Sequence, residues 1–179
     1  MPESLSNRKL LYIALVLVVF GALLRLLPHP ANFAPVGAIA IFGGAVLPRK
    51  LAWWLPLAVM AASDAVIGFY PVFLFTWAAF LLVGLFGMTL RRNNTWTRIL
   101  LGSFGGALIF FFVSNFGVWV SSGMYAHTLS GFMQCYAMAL PFFRNTLAGD
   151  LTYNTVLFGA FALATKRLVS PQPVSIISP

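Results

Sequence analysis

The chain has 179 residues, of which 60% are hydrophobic and 8% are charged, a balance that excludes an ordinary soluble domain and indicates an integral protein of the lipid bilayer. The net charge of +8 does not indicate nucleic-acid binding, because the basic residues stand mostly in pairs at the ends of apolar runs and form no basic stripe. The single cysteine, Cys135, excludes an internal disulfide, and the sequence contains no Cys/His framework for a metal ion.

Six hydrophobic segments predict an all-α, polytopic membrane protein with six transmembrane helices. The segments are residues 10–27, 36–47, 51–68, 72–90, 99–120 and 141–165. The chain is accordingly divided into a cytoplasmic N-terminus (1–9), a transmembrane domain (10–167) and a flexible cytoplasmic tail (168–179).

Two of the segments have unusual features. The second follows a stiff, proline-rich loop over 28–35, and at about 1.5 Å per residue it is too short to cross a hydrocarbon core of about 30 Å unaided. We expect it to lie against other helices, which its glycines and alanines can approach closely. The last segment follows a short helical run over 132–140, and Pro141 then predicts the first turn of a new helix.

The distribution of basic residues predicts the orientation of the chain. Six crossings put both termini on one side of the membrane, and the loops predicted on the opposite side contain no lysine or arginine. The basic residues on the side of the termini are Arg8, Lys9, Arg49, Lys50, Arg91, Arg92, Arg98, Lys166 and Arg167. The positive-inside rule makes that side cytoplasmic, and we predict a multi-pass protein of the bacterial cytoplasmic (inner) membrane.

Charged residues inside the segments point to a polar cluster. Arg25, Asp64 and Arg144 are expected at the same depth near the outer end. The helical period puts Thr146 and Asp150 on one face and turns Arg144 about a third of a circle away, so that Arg144 is free to pair with Asp64. The cluster is either a buried ion network that fixes helix register or part of an outward-facing pocket, in which arginine suits a phosphate or carboxylate.

The loops 28–35, 69–71 and 121–131 would cover such a pocket. The candidate substrate-binding residues are Arg25, His29, Asn32, Asp64, Tyr70, Tyr125, His127, Arg144 and Asp150. Either histidine can contact a metal-bearing ligand or bond to the backbone. No catalytic residue is predicted, because GxSxG, HExxH and acidic metal-binding pairs are missing. A membrane-embedded enzyme that uses His127 with an aspartate, and a structural subunit of a membrane complex, are the alternatives.

Short stretches of the chain resemble the substrate-binding S components of energy-coupling-factor (ECF) vitamin transporters. The stretches are 27–38, Phe42-Gly43-Gly44-Ala45, Ser63-Asp64 with Gly68, and Leu140-Pro141-Phe142-Phe143-Arg144-Asn145. The resemblance covers about residues 10–167 and is greatest to the solitary, cobalamin-binding BtuM group and related small membrane proteins. It implies an S-component-like bundle of six helices with a pocket open to the outside, and uptake of a vitamin, with cobalamin ahead of other vitamins.

For individual residues, the resemblance implies that His29, Asp64 and Arg144 contact the ligand, with His29 as a candidate cobalt ligand of bound cobalamin. Cobalamin would be the transported ligand, and no cofactor is expected. ECF transmembrane and ATPase subunits are implied as partners, since the chain has no GxxxxGK[ST] motif of its own. Two features depart from the group: residues 51–90 lack a cysteine for cobalt, and the first segment lacks an AxxxA surface for the coupling subunit.

Overall fold

The structure, a computed structural model, describes residues 2–92 and 95–166. In these two ranges the chain forms helices and no strands. The helices are α1 (Pro2–Leu24), α2 (Val36–Val46), α3 (Arg49–Ala52), α4 (Leu55–Ile67), α5 (Phe73–Gly87), a 3₁₀ turn (Met88–Arg92), α6 (Trp96–Ser121) and α7 (Leu129–Lys166). The predicted all-α class is confirmed for these residues, whereas Arg167 and the predicted flexible tail, 168–179, lie outside them.

Within the residues that the structure describes, five stretches of helix are long and apolar enough to cross a membrane. They are Asn7–Leu24, Arg49–Ile67, Phe73–Arg92, Trp96–Ser121 and Leu129–Thr165. The third predicted segment is divided, because a turn at Trp53 and Trp54 separates α3 from α4. The chain is therefore a helical protein with the composition and helix lengths of a multi-pass membrane protein.

Helix α2 is the centre of the bundle. All eleven of its residues are buried, and it packs against α1, α4, α5, α6 and α7. Its small residues allow the close approach that the sequence predicts: a Cβ atom on Gly87 of α5 would lie only 2.7 Å from the carbonyl oxygen of Ile41. At about 1.5 Å per residue, α2 is shorter than a membrane core and is stabilised by the surrounding helices.

Side chains distant in sequence complete both ends of α2. At its N-terminal end, the backbone N–H of Ala38 donates to the carboxylate of Asp150 on α7. Beyond its C-terminal end, Nη2 of Arg91 donates to the carbonyl oxygen of Leu47 at 2.5 Å. An acceptor at the N-terminus and a donor at the C-terminus complement the helix dipole. The basic residue therefore lies at the C-terminal end of α2, the end closer to Arg49 and Lys50 in the sequence.

The predicted break at Pro141 is wrong, because α7 runs without interruption from Leu129 to Lys166. Contacts with α6 hold the helix on both sides of the proline: the Tyr136 hydroxyl donates to the carbonyl oxygen of Phe112 at 2.7 Å, and the rings of Phe111 and Phe143 lie 5.1 Å apart. Transmembrane helices tolerate proline where neighbouring helices provide such support.

Candidate functional site

A cavity of about 790 Å³ opens at the N-terminal end of α2. Parts of α2, α5, α6 and α7 form its walls, together with the end of α4 and the loops that follow α1, α4 and α6. Six of the predicted site residues line it, namely Arg25, His29, Asn32, Tyr70, Tyr125 and Asp150. Apolar side chains such as Val36, Phe80 and Phe110 line the space between them. Residues that are far apart in the sequence thus surround one cavity.

Arg25 and Asp64 form a buried ion pair at one wall of this cavity. Nη2 of Arg25 lies 2.7 Å from Oδ1 of Asp64, and the two side chains are 11% and 0% exposed. The other carboxylate oxygen accepts a hydrogen bond from Nε1 of Trp77 at 2.7 Å, and Nη1 of Arg25 donates to the hydroxyl of Ser63. These partners satisfy the carboxylate on both oxygens, as a buried charge requires. The arginine lines the cavity with much of its hydrogen-bonding capacity already used.

Asp150 lies against the first turn of α2. Its side chain is 2% exposed, and a Cβ atom on Gly37 would come within 2.8 Å of its carboxyl carbon. Only a glycine at position 37 lets the carboxylate reach the N–H of Ala38. No lysine or arginine side chain lies within ion-pair distance of Asp150 among the described residues. The carboxylate is therefore held by the end of a helix, with no basic partner.

Four polar side chains on the cavity wall each donate a hydrogen bond within their own helix. The hydroxyls of Thr76, Ser114 and Thr146 donate to the carbonyl oxygens four residues earlier, at 3.3, 2.7 and 3.0 Å. The amide Nδ2 of Asn115 donates to the carbonyl oxygen of Phe111 at 2.8 Å. Each of these side chains keeps oxygen lone pairs that can accept a further hydrogen bond.

Loop residues surround the mouth of the cavity. His29 is exposed, and its Nδ1 lies 3.0 Å from the carbonyl oxygen of Pro30. Nδ2 of Asn145 on α7 donates to the carbonyl oxygen of Ala31 at 2.9 Å, which ties the loop after α1 to the bundle. Burial raises the pKa of the Tyr70 phenol above its ordinary value of 10.0, and a hydrogen bond with Thr76 opposes this shift. Tyr70 therefore remains a neutral donor at physiological pH.

Three predicted site residues do not line the cavity. Asp64 lies behind Arg25, and its partners are Arg25 and Trp77, so it does not form the pair with Arg144 that the sequence allowed. Arg144 is exposed on α7, because six residues of helix turn it away from Asp150. His127 is exposed, and its ring packs 5.6 Å from that of Trp119. The predicted three-charge cluster is thus a single ion pair, with Arg144 outside it.

The sequence analysis did not identify several cavity residues as candidates, including Thr76, Ser114, Asn115 and Thr146. Asn115 carried a usable signal, since an asparagine within an apolar helix needs a polar partner or a polar cavity. Threonine and serine carried a weaker signal, because both bond readily to their own helix and occur on any face. Among the described residues, no group of three or more His, Cys, Asp or Glu side chains is arranged to hold a metal ion.

Comparison with known proteins identifies the family. No curated protein and no solved structure shows significant similarity to the chain. The profile of DUF6580, a family of unknown function, matches residues 5–173, which include every helix that lines the cavity. Since the match extends over nearly the whole sequence, the chain belongs to the DUF6580 family.

Proposed function

We propose that this protein is a membrane transport protein of the S-component type, which captures a vitamin in an outward-facing cavity for uptake into a bacterial cell. The single observation that carries the proposal is the cavity at the N-terminal end of α2. Polar residues from three separate parts of the chain line it together: Arg25 and His29, Tyr70, and Asp150. Such a concave, mostly apolar site with a few converging polar groups is typical of small-molecule binding.

The proposed orientation has six crossings, with α2 as the short crossing and both termini in the cytoplasm. Arg91 lies at the C-terminal end of α2, at the opposite end of this helix from Asp150. By the positive-inside rule the end with Arg91 is cytoplasmic, and the cavity then faces outward in the inner membrane. Inward release requires either reorientation of the bundle or coupling to ECF transmembrane and ATPase partners.

Cobalamin is the first candidate ligand. The cavity volume of about 790 Å³ lies within the range of about 300–1,000 Å³ that is usual for sites of drug-sized ligands. A corrinoid is larger, so part of it would lie in the open mouth, next to His29. If Nδ1–H of His29 donates to Pro30, Nε2 keeps a lone pair with which it can bind cobalt. A smaller vitamin, held wholly inside the cavity, is the second candidate.

The first experiment is the absorption spectrum of the detergent-purified protein after incubation with cobalamin and gel filtration. A retained corrin spectrum at near-equal stoichiometry is expected, and a spectral shift would report replacement of an axial ligand. Two histidine variants test the role of the loop. His29→Ala should abolish the shift, whereas His127→Ala should keep it, because His127 does not line the cavity. A protein that leaves the column without a corrin spectrum would exclude cobalamin as the ligand. Smaller vitamins would then be tested.

A further inference from the structure

The helices that line the cavity offer mainly hydrogen-bond acceptors, whereas the donor Tyr70 lies in a loop. Thr76, Ser114 and Thr146 each donate to a carbonyl oxygen of their own helix, and the amide of Asn115 does the same. The three hydroxyls keep only oxygen lone pairs for a ligand, whereas Asn115 keeps its carbonyl oxygen and the second hydrogen of its amide. Since the side chains come from α5, α6 and α7, acceptors face the cavity from three helices.

The described residues that line the cavity include no unpaired positive charge. Arg25 is neutralised by Asp64 at 2.7 Å and also donates to Ser63. Asp150 has the N–H of Ala38 as its partner and no basic side chain within ion-pair distance among the described residues. The other titratable groups on the wall are His29, Tyr70, Tyr125 and Cys135, none of which carries a fixed positive charge.

Building on the proposed solute-binding function, we infer that the solute presents a hydrogen-bond-donating nitrogen, a protonated amine or an amide, to Asp150 and the neighbouring acceptors. A carboxylate or phosphate at this position would face the carboxylate of Asp150 and the lone pairs of Thr146 and Asn115, without an unpaired cation to bind it. A donor nitrogen instead bonds to a carboxyl oxygen of Asp150, and a protonated amine also supplies the positive charge that stabilises the ionised form of this buried group. The sequence suggested that an arginine binds an anionic group of the solute. In the inferred site, Asp150 instead binds a donor group.

The test is a binding panel sorted by charge, using the full-length protein in detergent and isothermal titration calorimetry. Pyridoxamine, pyridoxine and 4-pyridoxate share one ring and differ at one substituent, which is cationic, neutral and anionic respectively. Thiamine and cyanocobalamin add a cation with an aminopyrimidine group and an amide-rich neutral ligand, and nicotinate adds a further anion, without an N–H group. We expect the tightest binder to be a cation or the amide-rich ligand. An anion or pyridoxine as the tightest binder would overturn the inference and support the proposed function, whereas a panel without any binder would overturn both.

Variants of α7 then locate the contact. With the tightest amine or amide ligand of the panel, Asp150→Asn should weaken binding about tenfold or more, since hydrogen bonds to charged groups are worth about 1.5–3 kcal/mol. Thr146→Val should weaken it about threefold, because it removes one acceptor. Thr152→Val is the matched control: Thr152 also donates to the carbonyl oxygen four residues earlier, at 2.8 Å, but it is exposed and does not line the cavity.

The two substitutions are independent, so a loss of folding in one does not end the test. If Asp150→Asn does not fold, the comparison of Thr146→Val with Thr152→Val decides the question. Unchanged affinity in Asp150→Asn, or equal affinities in the two threonine variants, would overturn the inference. Binding of an anionic probe that is weaker in Asp150→Asn than in the wild type would also contradict it, because removal of the carboxylate should favour an anion.

Discussion

Replacement of Gly37 by alanine tests whether α2 and Asp150 are packed as described. The new methyl group would lie 2.8 Å from Cγ and Oδ2 of Asp150, well inside van der Waals contact. The carboxylate must then move away, and it loses the N–H of Ala38. The short side chain of aspartate offers little room for this movement, because it is 2% exposed within a packed bundle.

The magnitude follows from three contributions. Overpacking a core costs about 1–3 kcal/mol, and loss of a hydrogen bond to a charged group costs about 1.5–3 kcal/mol. The higher helix propensity of alanine offsets up to about 1 kcal/mol of this loss of stability. Because the first two contributions arise from one movement and do not add fully, we expect Gly37→Ala to lower the free energy of unfolding by about 3 kcal/mol.

The assay is reversible unfolding in mixed detergent micelles, with Gly159→Ala as the control. A Cβ atom on Gly159 would meet only the Trp96 ring at 3.8 Å, so this variant should be as stable as the wild type or slightly more stable. A double-mutant cycle with Asp150→Ala isolates the contact, since the penalty of Gly37→Ala should disappear once the carboxylate is removed. A penalty of the same size in both backgrounds would refute the packing argument.

Three further predictions concern the polar residues. Asp64→Asn leaves Arg25 with an uncompensated charge and should lower the free energy of unfolding by about 3 kcal/mol, measured in the same micelles. Arg144→Ala should change neither stability nor ligand affinity by more than about 0.5 kcal/mol, and a large loss of affinity would favour the role that the resemblance implies. Stability should fall as the pH rises above 10.0, the ordinary pKa of tyrosine, because folded Tyr70 retains its proton there. Tyr70→Phe should show a smaller fall in stability. Thermal unfolding of both proteins at pH 9 to 11 is the measurement.

The sequence predicted those features of the fold that depend on local composition. The apolar segments showed where helices form, and the shortness of 36–47 showed that this helix needs other helices around it. Its burial at the centre of the bundle follows from the glycines and alanines that line its contacts, as at Gly44 and Gly87. The break at Pro141 was predicted wrongly because the proline rule is local, whereas contacts of Tyr136 and Phe143 with α6 act across the helix pair.

Partner choice within the polar cluster could not be predicted from the sequence. The segments indicated that Arg25, Asp64 and Arg144 lie at similar depth, but depth does not determine which side chains meet. The pairing depends on the rotation of each helix: Asp64 faces Arg25 and Trp77, while Arg144 is exposed. The angle between Arg144 and Asp150 followed from the helical period, and the structure agrees with it.

The roles of the two buried aspartates differ because of their surroundings, and this difference connects the fold to the proposed binding. Asp64 is bonded on both oxygens by Arg25 and Trp77, so it has little capacity left for a ligand, and it orients the arginine. Asp150 is held by a backbone N–H of a helix that has no polar side chain of its own at that end. The side chain of Asp150 therefore contacts both the N-terminal end of α2 and the cavity. A donor group on the solute would bond to the same carboxyl group that bonds to α2. In this arrangement, ligand affinity and the stability of α2 should change together in variants of Asp150 and separately in variants of Thr146.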